Sequence, residues 1–299
     1  VPTLQPVQEF AQNVYSQFGE DGIIAEILDR IEGHMPLTRW SCEFGAADGV
    51  WLSNTCNLIR NRGFKAVMIE AEPKQANKLA ENHPGPEVIT LIRRVGFEGA
   101  DRLDSILDEL EVPRDLDVLS IDIDGHDYWV LESLETPRAK IMVIEFNTTM
   151  PNAVEYIQPR NSSSQHGSSP RSLMMLAATK GYELVAVTKV NLILVRSDLR
   201  ELVLGVGVAT PKLEDLRDDA EHITYVFSGY DGTVLISRPR LSFPWHNFEV
   251  GSAHLQVIPR LWRSFPGGWR RRGLRRRTWK VGKRVARKIA RRRSNRSAP

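Results

Sequence analysis

Short, continuous apolar runs alternate in this chain with segments whose apolar positions recur every three to four residues. The runs Trp40–Phe44, Ala66–Glu70, Glu87–Ile92, Val118–Ile123 and Ile141–Phe146 read as strands buried on both faces, as parallel sheets require. Between them lie helical patterns. Gly19-Glu20-Asp21-Gly22 opens the first, with Ile23, Ile24, Ile27, Leu28 and Ile31 on one face and acids in the first turn, where the helix dipole favours them. Further helices are expected over Ser53–Arg62, Lys74–Asn82, Asp101–Leu110, Tyr128–Leu134 and Ser172–Lys180. Tyr182–Thr188 and Leu192–Val195 read as a closing strand pair, and the polar stretch Gln158–Pro170 as a loop. This rhythm predicts an α/β fold with a Rossmann-like, doubly wound, mostly parallel sheet. Past Leu204 the texture changes. Ile223–Phe227 and Thr233–Ser237 flank the turn signal Ser228-Gly229-Tyr230-Asp231-Gly232, which predicts a small β extension. The expected division is a main domain over 1–203, the extension over 204–259 and a basic tail over 260–299.

Composition narrows the picture. The chain has 299 residues, 41% hydrophobic and 26% charged, enough for one large core with attachments. No apolar run reaches the roughly 18 residues of a membrane span. Val1–Phe10 carries neither the basic nor the apolar part of a secretory signal. Two cysteines, Cys42 and Cys56, make neither a disulfide framework nor a metal site, so they read as buried thiols of a reduced, cytoplasmic protein. The net charge of +3 hides a division: Arg260–Pro299 holds 17 Lys and Arg and no acid, leaving 23 basic residues against 37 acidic ones elsewhere. An acidic body with a cationic tail points the tail towards an anionic partner.

The first strand runs into Cys42-Glu43-Phe44-Gly45-Ala46-Ala47-Asp48-Gly49. Here an acid precedes G-x-x-x-G at a strand-to-helix turn, where open α/β sheets bind ligands. Gly45 permits close backbone approach and Gly49 a tight turn. The G-x-G-x-x-G of a dinucleotide site is absent, and Asp48 would repel a diphosphate. A carboxylate instead attracts an ammonium or a sulfonium, and S-adenosylmethionine carries both. Glu70, ending the second strand, can accept hydrogen bonds from ribose hydroxyls. Glu43, Gly45, Asp48, Gly49 and Glu70 are therefore the candidate cofactor residues; a nicotinamide oxidoreductase is the weaker alternative.

These residues resemble the FkbM-like branch of class I S-adenosylmethionine-dependent methyltransferases. The resemblance rests on Glu43–Gly49, on Ile69-Glu70 before Ala71-Glu72-Pro73, on Leu103–Leu107 and on Asp117–Glu132, in that order, and covers Gln17–Arg196. It implies a seven-stranded sheet and O-methylation, often of sugar or other natural-product hydroxyls. One segment departs from the pattern. Ser120-Ile121-Asp122-Ile123-Asp124-Gly125-His126-Asp127 stands where relatives more often have Lys before the first Asp and Glu two residues after it.

Asp122, Asp124, His126 and Asp127 follow the fourth strand, and Glu145 and Asn147 the fifth, so both sets fall at one sheet edge. Three readings stand. His126 or Asp124 is a general base for an acceptor hydroxyl. Asp122, Glu145 and Asn147 hold a divalent cation such as Mg²⁺, a layout similar to that of catechol-type O-methyltransferases. Or the acids cap the next helix, Asp124 and Asp127 foremost. Strand alternation would put Asp122 and Asp124 on one face. His166, in the polar loop, is a further catalytic candidate, and Trp245 and His246 a candidate sugar-facing wall near Tyr230.

In the tail, Trp262, Phe265, Trp269, Leu274 and Trp279 interleave with arginines, and Val281, Val285 and Ile289 recur at helical spacing. A cationic amphipathic segment with tryptophans fits an anionic membrane surface, which would place the protein at the inner face of a membrane. Nucleic acid and simple solvation are the other readings. The expected function is thus S-adenosylmethionine-dependent O-methylation; the alternative is a non-catalytic module docking through its tail.

Overall fold

The structure, a computed structural model, describes residues 4–110, 112–135, 139–162, 165–243 and 247–263. It divides into two compact units, the first ending at Ile223 and the second beginning at Thr224. The first unit is built on seven strands: β1 (Trp40–Phe44), β2 (Lys65–Glu70), β3 (Val88–Ile92), β4 (Leu116–Ile121), β5 (Ala139–Glu145), β6 (Tyr182–Val187) and β7 (Asn191–Arg196). Their order is β3-β2-β1-β4-β5-β7-β6. The first five are parallel, and β7 runs antiparallel to both its neighbours. The chain steps outward from β1 to β3 and then returns to β4, so order reverses between β1 and β4, where such sheets open a crevice for ligands.

The apolar runs become strands because both faces of the sheet are covered. On one face Val118, Ile141, Val143, Ile193 and Val195 pack with Ile23, Ile24, Ile27, Leu28 and Ile31 of α1 (Glu20–Glu32). On the other, Leu119, Ile121, Met142, Ile144 and Leu194 meet α4 (Leu103–Glu109), α5 (Asp127–Ser133) and α6 (Pro170–Thr179). Each such side chain contributes about 1.5–3 kcal/mol on burial. The remaining helices needed here are α2 (Cys56–Arg62) and α3 (Pro73–Asn82).

Among the boundaries that differ from the sequence reading, two do so for a polar reason. The helix expected from Ser53 begins at Cys56, because Ser53, Asn54 and Thr55 are tied to the Glu43 carboxylate. The strand expected to reach Ile123 stops at Ile121. There the chain turns, with Asp124 left-handed at φ 53°, and Asp127 accepts from the freed Ile123 and Gly125 N–H groups.

The second unit holds two antiparallel hairpins, β8 (Val226–Ser228) with β9 (Val234–Ile236), and β10 (Arg240–Phe243) with β11 (Phe248–Gly251). Trp245, His246 and most of the basic tail, from Ser264 on, lie outside the described residues. Among those described, no helix is long and apolar enough to cross a membrane.

Candidate active site

The site is assembled by register. Phe44 pairs with Ile121, Ile121 with Ile144, and Glu145 with Asn191. One residue beyond the first two pairs, Gly45, Asp122, Glu145 and Asn191 therefore form a row across β1, β4, β5 and β7.

The loop after β1 forms the first wall. Gly45 and Gly49 both have left-handed backbones, φ 72° and 73°, and so do Ala47 and Leu52, which pay for it in strain. A Cβ on Gly49 would fall 2.3 Å from Leu79 and 2.9 Å from the His83 ring, so that glycine lets the loop seat on α3. His83 Nε2 lies 2.8 Å from the Gly49 carbonyl. Asp48 Oδ1 accepts from Val50 N (3.0 Å) and Trp51 N (2.8 Å), closing the turn on itself. Glu70 reaches in from β2. Its Oε2 accepts from Ala47 N (2.8 Å) and its Oε1 from Glu72 N (2.7 Å), so each oxygen keeps a lone pair for a ligand.

Glu43 is placed differently from the other four cofactor candidates. It is buried beneath the loop, accepting from Ser53 Oγ (2.6 Å), Asn54 N (2.8 Å) and Thr55 Oγ1 (2.6 Å). Burial raises its pKa, and these hydrogen bonds pull it back. Asn54 in turn donates to Ser120 Oγ on β4 (3.0 Å). Cys42 and Cys56 are buried thiols. Burial pushes the Cys56 thiol up to about 12, with Arg60 opposing and Glu43, Asp21 and Asp48 adding.

At the centre of the row, Asp122, Asp124 and Glu145 each offer a carboxylate oxygen within 4.8 Å of the others. Asp122 and Glu145 are hydrogen-bonded to each other. Burial, then the charge of Asp127, raises Asp122 to about 7 against the pull of that hydrogen bond. Burial, then Asp122 itself, raises Glu145 further. The pair therefore holds a proton at neutral pH and titrates as a unit, with both carboxyls pushed above the usual carboxylate range by burial and by each other's charge. Asp124 is exposed and joins the other two through its left-handed turn, not through strand alternation. Asp127 does not join them. It is buried, raised by that burial, and is a structural cap of the turn.

The two histidines fall to one side. His126 Nε2 lies 3.2 Å from the Arg160 carbonyl, and its ring sits 5.7 Å from that of Phe97. Arg160 covers Trp129 at 4.2 Å, and Trp129 Nε1 donates to Gln158 O (2.7 Å), so His126 belongs to a clasp holding the 158–160 segment. His166 is exposed, in a loop whose Ser168 carbonyl accepts from Asn147 N at the end of β5 (2.9 Å). The Asn147 side chain accepts from Thr149 N and Thr149 Oγ1.

Sequence reasoning missed four participants. Gln158, fully buried, accepts from His166 N (2.6 Å) and Gly167 N (3.0 Å) and presses its amide nitrogen against Gly125. Glu20 and Asp21, read only as favourable charges at a helix start, are buried anchors. Asp21 Oδ2 takes the three consecutive N–H groups of Val14, Tyr15 and Ser16. Glu20 Oε1 accepts from Thr188 Oγ1 (2.6 Å) and Asn191 Nδ2 (3.1 Å). Asn191, directly opposite Glu145, is thereby oriented so that its Oδ1 is buried without a partner. Glu20 and Asn191 escape any local pattern because they lie 171 positions apart, whereas Asp21 and Gln158 bind backbone groups five to nine positions away in irregular turns that no periodicity marks.

The model of the methyltransferase FkbM domain matches residues 97–184, a span that contains Asp122, Asp124 and Glu145 but not the loop after β1. Among solved structures, the chain is similar to the CurJ carbon methyltransferase, at 12% identity and a TM-score of 0.42, over 61% of this chain and 56% of that one. It is similar to a SAM-dependent methyltransferase from Aquifex aeolicus, at 11% and 0.38, over 63% and 94%. It is also similar to the N-terminal domain of EvdMO1, crystallised in the presence of SAH and D-fucose, at 12% and 0.38, over 59% and 82%. No curated protein sequence matches the chain.

Proposed function

We propose that this chain, which carries a match to the methyltransferase FkbM domain over residues 97–184, transfers the methyl group of S-adenosylmethionine to a hydroxyl oxygen of a carbohydrate, glycolipid or related natural product. The observation that carries this reading is the Asp122–Glu145 pair. A half-buried carboxylate titrating near neutrality is matched to taking the proton of a hydroxyl. Bound cofactor would supply an electrophilic methyl group on a sulfonium. The donor set suits it: Glu70 keeps acceptor capacity for ribose hydroxyls, and the acids of the row favour a cation over a phosphate. Asp122 then takes the acceptor's proton, with the Glu145 proton holding its carboxylate in place. Most of the acceleration would come from holding the hydroxyl in line and removing its proton. In this scheme Glu43 is a positioning residue and His126 a clasp. The carbohydrate assignment rests on the resemblance to the FkbM-like branch.

A second reading is favoured by the closeness of the three carboxylates. Asp122, Asp124 and Glu145 offer hard oxygen donors that fit a divalent cation such as Mg²⁺, which would acidify and orient the hydroxyl.

The test is calorimetric titration with S-adenosylhomocysteine, followed by transfer of labelled methyl from S-adenosylmethionine to a panel of sugars and glycosides, with and without EDTA. Transfer to hydroxyls, lost in Asp122→Asn and indifferent to EDTA, supports the base reading; loss with EDTA supports the cation. Transfer to nitrogen or carbon alone would sink the oxygen assignment, and failure to bind S-adenosylhomocysteine would sink the cofactor.

A further inference from the structure

The described residues of the second unit do not bury the apolar side chains they carry. From Thr224 to Arg263, none of the described residues is buried, although the segment is rich in large apolar side chains. In the first hairpin Phe227 faces Leu235 across the strands, each about half exposed at 53% and 50%, and Tyr225 stacks on Phe227 at 6.1 Å. In the second, Phe243 faces Phe248 with ring centroids 6.3 Å apart, both exposed. Val257 is exposed as well. Alternation in a hairpin ordinarily sends one face into a core; here those faces are presented outward. Contiguous exposed apolar surface of this kind marks a docking site.

Charge identifies the occupant. From Thr224 to Pro299 the sequence holds 19 Lys and Arg against two acids, Asp231 and Glu249, while residues 1–223 hold 21 against 35. A second copy of the unit would set +17 against +17 and be repelled. Nucleic acid would use the cations and could stack on exposed rings, but it has no place for the aliphatic Leu235 and Val257. An anionic lipid surface takes both: headgroups meet the cations, and the aromatic and aliphatic side chains enter the interface.

We propose that the two hairpin faces of the second unit, centred on Phe227 and Phe248, are the membrane-contacting surface of this protein, held on anionic lipid by the basic segment that follows them. Neither signal suffices alone. Polybasic attraction is screened by salt, and a few interfacial aromatics bind only weakly.

The test is co-sedimentation of the full chain with vesicles of phosphatidylcholine alone and of phosphatidylcholine with phosphatidylglycerol. Binding is expected only to the anionic vesicles, severalfold weaker at high salt. Phe227→Ser/Phe248→Ser should weaken it about tenfold at low salt with every basic residue in place. Thermal unfolding of the variant and its titration with S-adenosylhomocysteine should match wild type, since both side chains are exposed and neither is a site residue. No binding to anionic vesicles would overturn the proposal. So would binding that the double substitution leaves unchanged, or displacement from vesicles by stoichiometric duplex or transfer RNA.

Discussion

A Cβ placed on Gly45 would lie 1.5 Å from the main-chain oxygen of Asp122. The loop after β1 and the turn after β4 are thus in backbone contact, and the proposed cofactor wall and the central carboxylate cannot move independently. Gly45→Ala should force them apart and add left-handed strain at φ 72°. We expect a loss of at least about 2 kcal/mol in stability and of S-adenosylhomocysteine binding together, measured by urea unfolding and calorimetry. A stable variant with unaltered affinity would show that the contact is not needed.

Turnover should rise with pH through about 7 as Asp122 loses its proton. Asp122→Asn should cost on the order of 10²–10⁴ in kcat, leave cofactor affinity nearly unchanged and abolish that limb of the profile. A profile keeping the same inflection in the variant would assign the titration elsewhere.

The same group bears on stability with a definite sign. Its folded pKa is raised from 3.8 to about 7, so the fold favours the protonated acid. The contribution is fully present below pH 4 and is lost as pH rises through about 7. Asp122→Asn should therefore melt higher than wild type at pH 8, by the equivalent of roughly 1–3 kcal/mol, and the gap should close towards pH 4. Differential scanning calorimetry at the two values checks this.

Glu70→Ala removes the acceptor of the Ala47 and Glu72 N–H groups and the proposed partner of the ribose hydroxyls. A charged hydrogen bond is worth about 1.5–3 kcal/mol, so S-adenosylhomocysteine should bind about 10- to 100-fold more weakly. Unchanged binding would remove Glu70 from the site.

Glu43→Ala, by contrast, leaves two hydroxyls and one N–H without their buried acceptor. Stability should fall by about 2–4 kcal/mol, with cofactor affinity following through the loosened 53–55 loop. A loss of affinity at unchanged stability would instead mean that Glu43 touches the cofactor.

The alternation of apolar runs and amphipathic segments sufficed for the sheet and its flanking helices, because period and burial are local properties. Trp40–Phe44 and Tyr182–Val187 were legible almost residue for residue. Gly45, Asp48, Gly49 and Glu70 could be picked out because turn chemistry and strand ends are written in short stretches. Glu43 could be picked out too, but not the direction in which its side chain would be spent.

What the sequence determined by itself, then, is an α/β body with a glycine-bearing loop after its first strand, an acid cluster after its fourth, and a cationic end. Tertiary structure alone decided which acids meet. It drew Asp124 in through a left-handed turn and set Asp127 aside as a cap. It turned His126 towards Arg160, and fixed Asn191 beside Glu145 through Glu20. The reason is physical: a carboxylate's role depends on what desolvates it and what donates to it, and here those groups come from strands and helices far apart in the chain.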